Sequence, residues 1–465
     1  MKVLLTRPNS PLAVTPPPLG LGYLSHALKR GRGHQTMIMD GRRRRLAAKE
    51  LVRRGLEFKP DLVGVTAMTF EARPALELIE GFKAEAPELP VVMGGPHATG
   101  FGPDLLSRCR ADYLVLGEGE RTLVSLADAL EGGTGLEDIK GLARREGGEI
   151  RYPGPPDPIE EMDSLEVDWE ELDPAAYFSF WTRNAMNTVA RSQRRLPLFF
   201  SRGCPFACTY CHQIFGRRHR RFGLEKKIEE MMMLRDRWRV REFEIIDDNF
   251  NVSLDHAKDA LRLIAKQKPG TWIAFANGLR ADRVDEELIE LMLSARVYRA
   301  DYAIESASPR IQNMIRKKLD LERARQAVNR TAQSGIVTGT YNMLGFPGET
   351  IDEMKKTIEF AISLKNHIAS FFQLMPFPGT EIAEANPQLA REVRELEFGD
   401  ASAMVKNLSA VNDRTLKKLR KQAYRKFYFE PSRMARIIKH APKNARLLAA
   451  AAAVARLSVQ ERVNY

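Results

Sequence analysis

The sequence predicts an α/β protein made of a doubly wound parallel sheet, a partial (β/α)6 barrel and a helical C-terminal region. Short apolar runs of buried-strand type alternate with helical patterns over the first third of the chain. A second series of the same kind begins at Leu198, and from Glu395 onward the chain is helical and basic. Strands that are apolar along their length and separated by helices form parallel sheets with helices on both faces.

The first series contains five predicted strands, four predicted helices and glycine-rich loops. The strands are Lys2–Arg7, Gln35–Asp40, Asp61–Ala67, Pro90–Met93 and Asp112–Leu116, and the helices are Gly20–Arg30, Ala47–Phe58, Ala72–Ala86 and Arg121–Leu130. Ligands of such sheets bind beside the carboxyl ends of the strands. Glycine there either lets a large flat or phosphorylated ligand approach the backbone or only makes a tight turn. The candidate contacts come from GGPHATG and GEGE: Gly94, Gly95, His97, Gly117 and Glu118.

A proline- and acid-rich stretch separates the two series. It begins with a hairpin pattern, has little periodicity and changes composition near Pro153. We predict a first domain at residues 1–141, a linker at 142–190, a second domain at 191–394 and a helical region at 395–465. The 465 residues suffice for two or three domains, since single cores seldom grow past ~250–300 residues.

Six strand and helix units in the second series favour an incomplete barrel over an open sheet. After the strand at Leu198, the predicted strands are Glu242–Ile246, Trp272–Ala276, Asp301–Ile304, Val337–Leu344 and Ser370–Met375, and the first helix is Leu224–Trp238. In β/α barrels the chemistry lies at the carboxyl ends of the strands. Polar or glycine-rich segments follow these strands at Asp247–Asn249, Asn277, Arg280, Glu305, Gly345–Glu349 and Pro376–Thr380.

The most specific motif is SRGCPFACTYCHQ, which places Cys204, Cys208 and Cys211 in a CxxxCxxC array. Three neighbouring thiolates can hold three irons of a 4Fe–4S cluster and leave the fourth iron without a protein ligand. A structural zinc site usually takes four ligands from two separated pairs, and the sequence has no second pair. His212 directly follows Cys211, and adjacent residues rarely reach the same metal. Disulfides would close strained, very short loops.

Composition and charge place the chain among globular proteins of a reducing compartment. Hydrophobic residues make up 44% of the chain, charged residues 28%, and cysteine occurs four times. No run approaches the ~18–20 apolar residues that span a membrane, and no apolar segment follows Met1, so we expect a cytoplasmic protein. The net charge of +12 is spread along the chain, which is more typical of solvated surface than of a nucleic-acid site.

The basic segments Lys417–Phe429 and Met434–Leu457 have helical patterns. Helices that cap the preceding barrel are the commoner outcome for such segments. Basic amphipathic helices also lie on anionic membranes. A peripheral membrane contact through this region therefore stays open at this point.

Five motifs, in chain order, resemble those of the radical S-adenosylmethionine (radical SAM) enzymes. They are the cysteine array, FEIIDDNF, ANGLR, AIESAS and MLGFPGE. The segments PPLGLGYL, GGPHATG and LGEGE of the first series look like the Rossmann-like cobalamin-binding domain of the cobalamin-dependent branch. This resemblance implies a 4Fe–4S cluster on the three cysteines, S-adenosylmethionine (SAM) and cobalamin. Reductive cleavage of SAM to a 5′-deoxyadenosyl radical would start C-methylation or rearrangement of an unactivated carbon in a small or lipid-like metabolite.

The resemblance also implies roles for the strand-end residues. Glu305 would accept hydrogen bonds from the ribose hydroxyls of SAM. Asp247 and Asp248 would face the methionine amino group, unless they pair with nearby arginines. Arg280 would pair with the methionine carboxylate. The remaining expected contacts, to the cluster or the adenine, are Phe206, Tyr210, Gly345, Phe346 and Pro347.

The cobalamin half departs from the better-known family pattern. The DxHxxG motif that supplies a histidine ligand to cobalt is missing from the corresponding segment, RPNSPLAVTPPPLG. Cobalamin would therefore lack a lower histidine ligand from this motif. His97 either lies near the corrin edge or cobalt, or satisfies the backbone of its loop. Expected partners are a small-molecule or lipid-like substrate and an electron donor such as flavodoxin or ferredoxin, and no nucleic acid.

Two alternatives remain open from sequence alone. One is a radical SAM enzyme without bound cobalamin that performs cyclisation or rearrangement. The other, motivated by GRRHRR and KKLRKQ, is a non-enzymatic iron–sulfur sensor or RNA-binding scaffold. Polar residues at successive strand ends argue against the scaffold, which would not require them.

Overall fold

The computed structural model of the chain describes residues 1–10, 16–178, 189–386, 388–389 and 407–440. These residues form two compact units. The first comprises residues 1–177 and 210–216 with the described residues of 376–389, and the second comprises 178–209, 217–375 and 407–440. Parts of the predicted linker, of the predicted helical region at 395–465 and of the predicted tail helix beyond residue 440 lie outside the described residues.

The first unit is built on a seven-stranded sheet in the order β2-β1-β3-β4-β5-β6-β7. Its strands are β1 (Lys2–Arg7), β2 (Gln35–Asp40), β3 (Leu62–Thr66), β4 (Val91–Gly94), β5 (Tyr113–Val115), β6 (Leu142–Glu146) and β7 (Glu149–Arg151). The first five strands pair in parallel, and the β6–β7 hairpin continues the sheet in antiparallel fashion. The strand order reverses at β1, where ligands of doubly wound sheets bind.

Helices cover this sheet in pairs. They are α1 (Leu19–Arg30), α2 (Gly41–Arg44), α3 (Ala48–Glu57), α4 (Ala72–Glu85), α5 (Pro96–Phe101), α6 (Gly119–Gly132) and α7 (Trp169–Leu172). Helix α1 packs against α6, and α3 packs against α4. Continuous apolar strands such as VLL at the start of β1 are fully buried between these layers, as expected for a parallel sheet covered on both faces. The predicted doubly wound fold is confirmed.

The second unit contains a six-stranded parallel sheet in the order β8-β11-β12-β13-β14-β15. Its strands are β8 (Arg195–Leu198), β11 (Glu242–Ile245), β12 (Trp272–Leu279), β13 (Val297–Glu305), β14 (Val337–Leu344) and β15 (Ile368–Gln373), while β9 (Ser201–Arg202) and β10 (Arg220–Arg221) form a separate antiparallel pair. Each neighbouring pair of the six is parallel and follows chain order. This is the predicted partial (β/α)6 barrel.

The helices of the second unit alternate with its strands. They are α8 (Leu224–Trp238), α9 (Leu254–Gln267), α10 (Glu286–Ser294), α11 (Pro309–Met314), α12 (Leu321–Gln333) and α13 (Ile351–Ser363), with α14 (Glu381–Glu384) in the first unit. Side chains cap several of these helices. Ser253, Asp285 and Thr350 accept backbone N–H bonds at the first turns of α9, α10 and α13, which satisfies donors that helix starts leave unpaired.

Strand β13 begins four residues earlier than the predicted segment Asp301–Ile304. Its first half carries Arg299 and Asp301, which are each 1% exposed and form an ion pair at 2.5 Å. A buried charge is costly unless it is paired. The pairing permits a charged stretch to lie in a central strand, and this is why an apolar pattern did not reveal it.

Two C-terminal helices, α15 (Asp413–Tyr428) and α16 (Pro431–His440), pack on the second unit. Tyr424 and Phe427 of α15 join the core formed by α13 and β15, so the expectation that this segment caps the barrel is confirmed. The guanidinium of Arg433 anchors α16 by donating to backbone oxygens of Ile362, Leu364 and Asn366 at 2.6–3.1 Å. Among the helices that the structure describes, none combines the length and apolar character of a bilayer-spanning segment.

Candidate active site

The cysteine loop leaves the carboxyl end of β8 and is held by the strand-end aspartates. Asp247 accepts hydrogen bonds from the Phe200 N–H at 2.8 Å and the Ser201 hydroxyl at 2.5 Å. Asp248 accepts one from the Gly203 N–H at 3.0 Å. The two carboxylates therefore fix the backbone immediately before the first cysteine, a function that their strand-end position did not by itself indicate.

The two aspartates differ in exposure. Asp247 is 2% exposed, and burial, opposed by its bonds from Ser201 and Phe200, raises its pKa to about 7. Asp248 is exposed. Because a ligand can reach only the exposed carboxylate directly, Asp248 is the better placed of the two to contact a cofactor, and Asp247 supports the loop.

The three cysteines differ in their surroundings. Cys204 and Cys208 are partly buried and Cys211 is exposed. Burial raises the pKa of the Cys204 thiol, and the charge of Lys317 acts in the opposite direction. The donor set suits an iron–sulfur cluster, since thiolates at short spacing are its usual ligands. In the described part of the chain, no three Cys, His, Asp or Glu side chains are already gathered as closely as a metal site requires.

One aromatic residue of the cysteine loop, Phe206, lies against a cation. The Phe206 ring lies under the Arg280 guanidinium, 4.2 Å from the ring centroid. Arg280 is 7% exposed and donates to Asp282 and to the Lys318 carbonyl, each at 3.1 Å. Its charge is thus already compensated inside the protein. Tyr210 is half-buried in the turn before Cys211.

Glu305 ends β13 in an unusual backbone conformation. Its φ is +67°, in the left-handed region, which costs a non-glycine residue roughly 1–3 kcal/mol. The β13–β14 register shifts between Ala303 and Glu305, as at a β-bulge, which re-aims the side chain at a strand end. The strained residue is the one that the sequence motif singled out.

Lys317 is a site residue that the sequence reasoning missed. It follows α11, is 9% exposed, and its Nζ lies 3.4 Å from Glu305 Oε1. Gln312 fixes both segments, because it donates to the Ile304 carbonyl at 3.0 Å and accepts from the Leu319 N–H at 3.2 Å. Lys317 lies after a short helix, outside the strand ends and motifs that point to the site. The basic pair Lys317–Lys318 was the available signal.

The GFPGE loop after β14 is held by a buried acid. Oε2 of Glu349 accepts the N–H groups of Gly345 at 2.7 Å and Phe346 at 3.2 Å. Glu349 is 0% exposed, and burial, opposed by these bonds, raises its pKa to about 7. Phe346 is also fully buried, while Pro347 is half-buried. Glu349 therefore shapes the loop in which the predicted adenine contacts lie.

The glycine loops of the first unit follow β4 and β5. Gly95 has φ +88°, and an added Cβ would lie 2.4 Å from Thr66 Oγ1. Gly117 has φ +76°, and its N–H donates to the Thr99 hydroxyl at 2.9 Å. Gly94 is partly exposed, and Glu118 is 7% exposed at the start of α6. Both strand ends thus need glycine for the backbone they adopt.

His97 lies inside the first unit. Its side chain is 0% exposed and packs on Phe101, with the ring centroids 4.7 Å apart. The backbone N–H of His97 donates to the Ala67 carbonyl at 3.0 Å, and burial lowers the pKa of the imidazole to about 4. The imidazole is therefore neutral at pH 7. This geometry favours the loop-packing interpretation of His97 over a position exposed to a ligand.

Comparison with known proteins supports the same assignment. The sequence model of the Radical SAM superfamily matches residues 198–361, and that of the B12 binding domain matches residues 10–127. An uncharacterised methyltransferase of Pyrococcus horikoshii is 32% identical over 445 residues, which cover 93% of each chain. Cytidylyl-2-hydroxyethylphosphonate methyltransferase of Streptomyces wedmorensis is 28% identical over 78% of this chain and 77% of its own length.

A solved structure has the same fold. It is the radical SAM methyltransferase TsrM from Kitasatospora setae, with cobalamin and a 4Fe–4S cluster bound; its TM-score is 0.70 at 23% identity, over 83% of this chain and 78% of that one. The family is one of enzymes, which sets the non-enzymatic alternative aside. This chain belongs to the B12-binding branch of the radical SAM superfamily and is an enzyme of the cobalamin-dependent methyltransferase and cyclase type.

Proposed function

We propose that the protein binds a 4Fe–4S cluster, SAM and cobalamin, and transfers a methyl group to an unactivated carbon of a small or lipid-like metabolite. The observation that supports this best is the arrangement at the carboxyl end of the parallel sheet. There Cys204 and Cys208, the strained Glu305 and the buried Lys317 belong to one unit. Methyl transfer is favoured over rearrangement because the two relatives described above are both named methyltransferases.

Cys204, Cys208 and Cys211 would hold the cluster. When bound, the cluster would supply the electron that cleaves SAM, and cobalamin would supply the methyl group. Asp247 and Asp248 would hold the backbone of the cysteine loop in place.

Glu305 and Lys317 would bind the two polar ends of SAM. A carboxylate accepts two hydrogen bonds, which suits the ribose hydroxyls. We assign the methionine carboxylate to Lys317, because the charge of Arg280 is already compensated by Asp282. Lys317 would then exchange its 3.4 Å contact with Glu305 for the carboxylate of the cofactor. Asp248 is the remaining exposed acceptor for the methionine amino group.

The first unit would hold cobalamin through its glycine loops. Gly94 and Gly95 end β4, and Gly117 and Glu118 follow β5, at the strand ends where ligands of such sheets bind. The DxHxxG motif is missing, and His97 is buried. Neither position therefore offers an exposed imidazole to cobalt. The runner-up is a radical SAM enzyme that works without cobalamin. An electron donor such as flavodoxin or ferredoxin would complete either system.

The cluster assignment is tested by a matched pair of cysteine variants. After anaerobic reconstitution, the wild-type chain and Cys109→Ala should each bind about four irons, as in a 4Fe–4S cluster, and Cys204→Ala should lose most of them. Cys109 is the only cysteine outside the loop, so it controls for the loss of a thiol. Iron content that is equal in Cys204→Ala and Cys109→Ala would overturn the assignment.

The cofactor set is tested by spectroscopy and by product analysis. The reconstituted protein should show a corrin absorption band after incubation with cobalamin. Under reducing conditions it should produce 5′-deoxyadenosine from SAM. Cluster absorption without any corrin band would favour the runner-up. Metabolite profiling of a deletion strain, combined with SAM labelled in its methyl group, would identify the substrate.

A further inference from the structure

The two C-terminal helices carry both exposed basic residues and exposed apolar side chains. Helix α15 buries Leu416, Leu419, Ala423, Tyr424 and Phe427 on one face. Its opposite face carries basic residues at helical spacing, all but one of them exposed: Arg414, Lys417, Lys418, Lys421, Arg425 and Lys426. We call these six residues the basic stripe. Between residues 414 and 429 there is no acidic residue.

The basic stripe is unfavourable for the helix on its own. Residues four apart on a helix are neighbours, so Arg414–Lys418, Lys417–Lys421 and Lys421–Arg425 are like-charge pairs. Like charges at this spacing repel each other and destabilise a helix. A polyanionic partner would remove this repulsion.

Large exposed apolar side chains follow the basic stripe along the chain. In the described part of the chain seven large hydrophobic residues are exposed, and three of them lie within ten residues: Phe429 at 62%, Met434 at 45% and Ile438 at 59%. Phe429 ends α15, and the other two lie four residues apart on α16. A concentration of this kind on an ordinary monomer surface marks an interaction site.

Arg433 makes the apolar part of this surface rigid. It is 1% exposed, lies 3.7 Å from the Phe427 ring centroid, and binds four oxygens of the segment that ends α13. Helix α16 is therefore held in place by its buried face, while Met434 and Ile438 project on another face. The apolar side chains are displayed by an anchored helix.

We propose that the surface formed by the basic stripe, Phe429, Met434 and Ile438 docks on an anionic phospholipid membrane. Interfacial helices combine Lys and Arg with bulky apolar residues that enter the boundary between headgroups and acyl chains. Nucleic acid or an acidic protein would account for the cations alone. The three exposed apolar side chains together with the cations favour the lipid surface, and this inference is independent of the chemistry proposed for the site.

Cosedimentation of the full chain with lipid vesicles tests the proposal. The protein should sediment with vesicles of phosphatidylcholine and phosphatidylglycerol at low salt, and remain in solution with phosphatidylcholine alone. The double variant Lys417→Gln/Lys418→Gln should bind roughly 25-fold more weakly, about fivefold per cation lost near an anionic surface. Lys266→Gln/Lys268→Gln removes the same charge from the exposed end of α9 and should bind as the wild type does.

A second pair of variants tests the apolar part. Phe429→Ser/Ile438→Ser should weaken vesicle binding, whereas Met233→Ser/Leu293→Ser removes exposed apolar residues elsewhere and should not. Unchanged thermal melting and iron content show that each variant is folded. The proposal is overturned by equal binding to neutral and anionic vesicles, or by binding of RNA without binding of vesicles. A chain that stays in solution with both vesicles also overturns it.

Discussion

At the residue scale, the site is defined by buried or strained polar groups beside the cysteine loop. The positive φ of Glu305, the 9% exposure of Lys317 and the fully buried Glu349 each carry a cost that an ordinary surface residue would not. Such costs are typical of functional sites, where perturbed groups cluster. The two predictions at this scale concern the buried lysine and the buried acid.

Replacing Lys317 should separate binding of SAM from folding. We expect Lys317→Met to raise the KM for SAM at least tenfold, because the variant removes the cation assigned to the methionine carboxylate. Lys317→Arg keeps the charge and should recover part of the loss. Isothermal titration with SAM and the KM for 5′-deoxyadenosine formation are the measurements. An unchanged KM in Lys317→Met, with Arg280→Met as the variant that raises it, would return the carboxylate to Arg280.

Glu349 should make the stability of the protein depend on pH. A carboxyl group with the ordinary pKa of 4.5 ionises there in the unfolded chain, whereas the buried one keeps its proton up to pH about 7. The contribution of protonated Glu349 to the free energy of unfolding is therefore fully present below pH 4.5, and it is lost as the pH rises through about 7. Glu349→Gln should weaken this dependence, by up to ~1.4 kcal/mol per pH unit. Urea unfolding of the apoprotein across this range measures it.

The exposed Glu286→Gln serves as the control for that experiment, since it removes a carboxyl group outside the core. Asp247 has a pKa raised to about 7 as well, so part of the pH dependence should persist in Glu349→Gln. Identical slopes for wild type and Glu349→Gln would mean that Glu349 is ionised in the native state.

At the scale of elements, close backbone approaches decide where loops pack. The PFPGT loop meets helix α5 within the first unit. An added Cβ at Gly379 would lie 2.7 Å from the Gly100 carbonyl oxygen, and one at Gly100 would lie 2.6 Å from the Pro378 oxygen. Two glycines thus let two backbone segments touch, which no apolar pattern in either segment would indicate.

Two alanine variants separate the stability cost of the close backbone contact from the stability cost of the left-handed backbone conformation. Gly379 has φ +77° and Gly133 has φ +64°, but an added Cβ at Gly133 meets nothing within 4 Å. Gly133→Ala should cost only ~1 kcal/mol for the left-handed conformation. Gly379→Ala should cost about 1–3 kcal/mol more, as overpacked sites do. Chemical denaturation measures both, and equal losses would mean that the loop moves away without penalty.

At the scale of the whole molecule, the two proposed cofactor sites draw on different segments of the chain. The cobalamin candidates are glycine-loop residues of the first unit, whereas Cys204, Cys208, Glu305 and Lys317 belong to the second unit and Cys211 to the first. Loss of one cofactor should therefore leave uptake of the other intact. This independence gives a prediction that does not require the substrate to be known.

Two variants should dissociate the cofactors from each other. Cys204→Ala should lose iron and still take up cobalamin. Gly94→Val should keep iron and lose most cobalamin, because its Cβ makes only an ordinary 3.4 Å contact within the protein while its branches would occupy space at the end of β4. Metal analysis and the corrin absorption band report the two contents. Joint loss of both cofactors in Cys204→Ala would contradict separate sites.

Much of the architecture could be predicted because it follows from local pattern. Strands β1, β2 and β14 and helix α8 have the predicted bounds, since each has the local residue pattern of a strand or a helix. The cysteine array and Glu305 could be singled out because they lie in short motifs. Lys317 and Glu349 could not be assigned roles, since these depend on residues that only folding brings near.

The sequence by itself determined the order of strands and helices, the thiol ligand set and the family to which the chain belongs. Tertiary structure alone decided which charges are compensated: Asp282 pairs with Arg280, Glu305 lies beside Lys317, and Asp247 turns inward to hold the cysteine loop. The physical reason is that strand and helix formation depends on neighbours along the chain, whereas burial and charge pairing depend on neighbours in space.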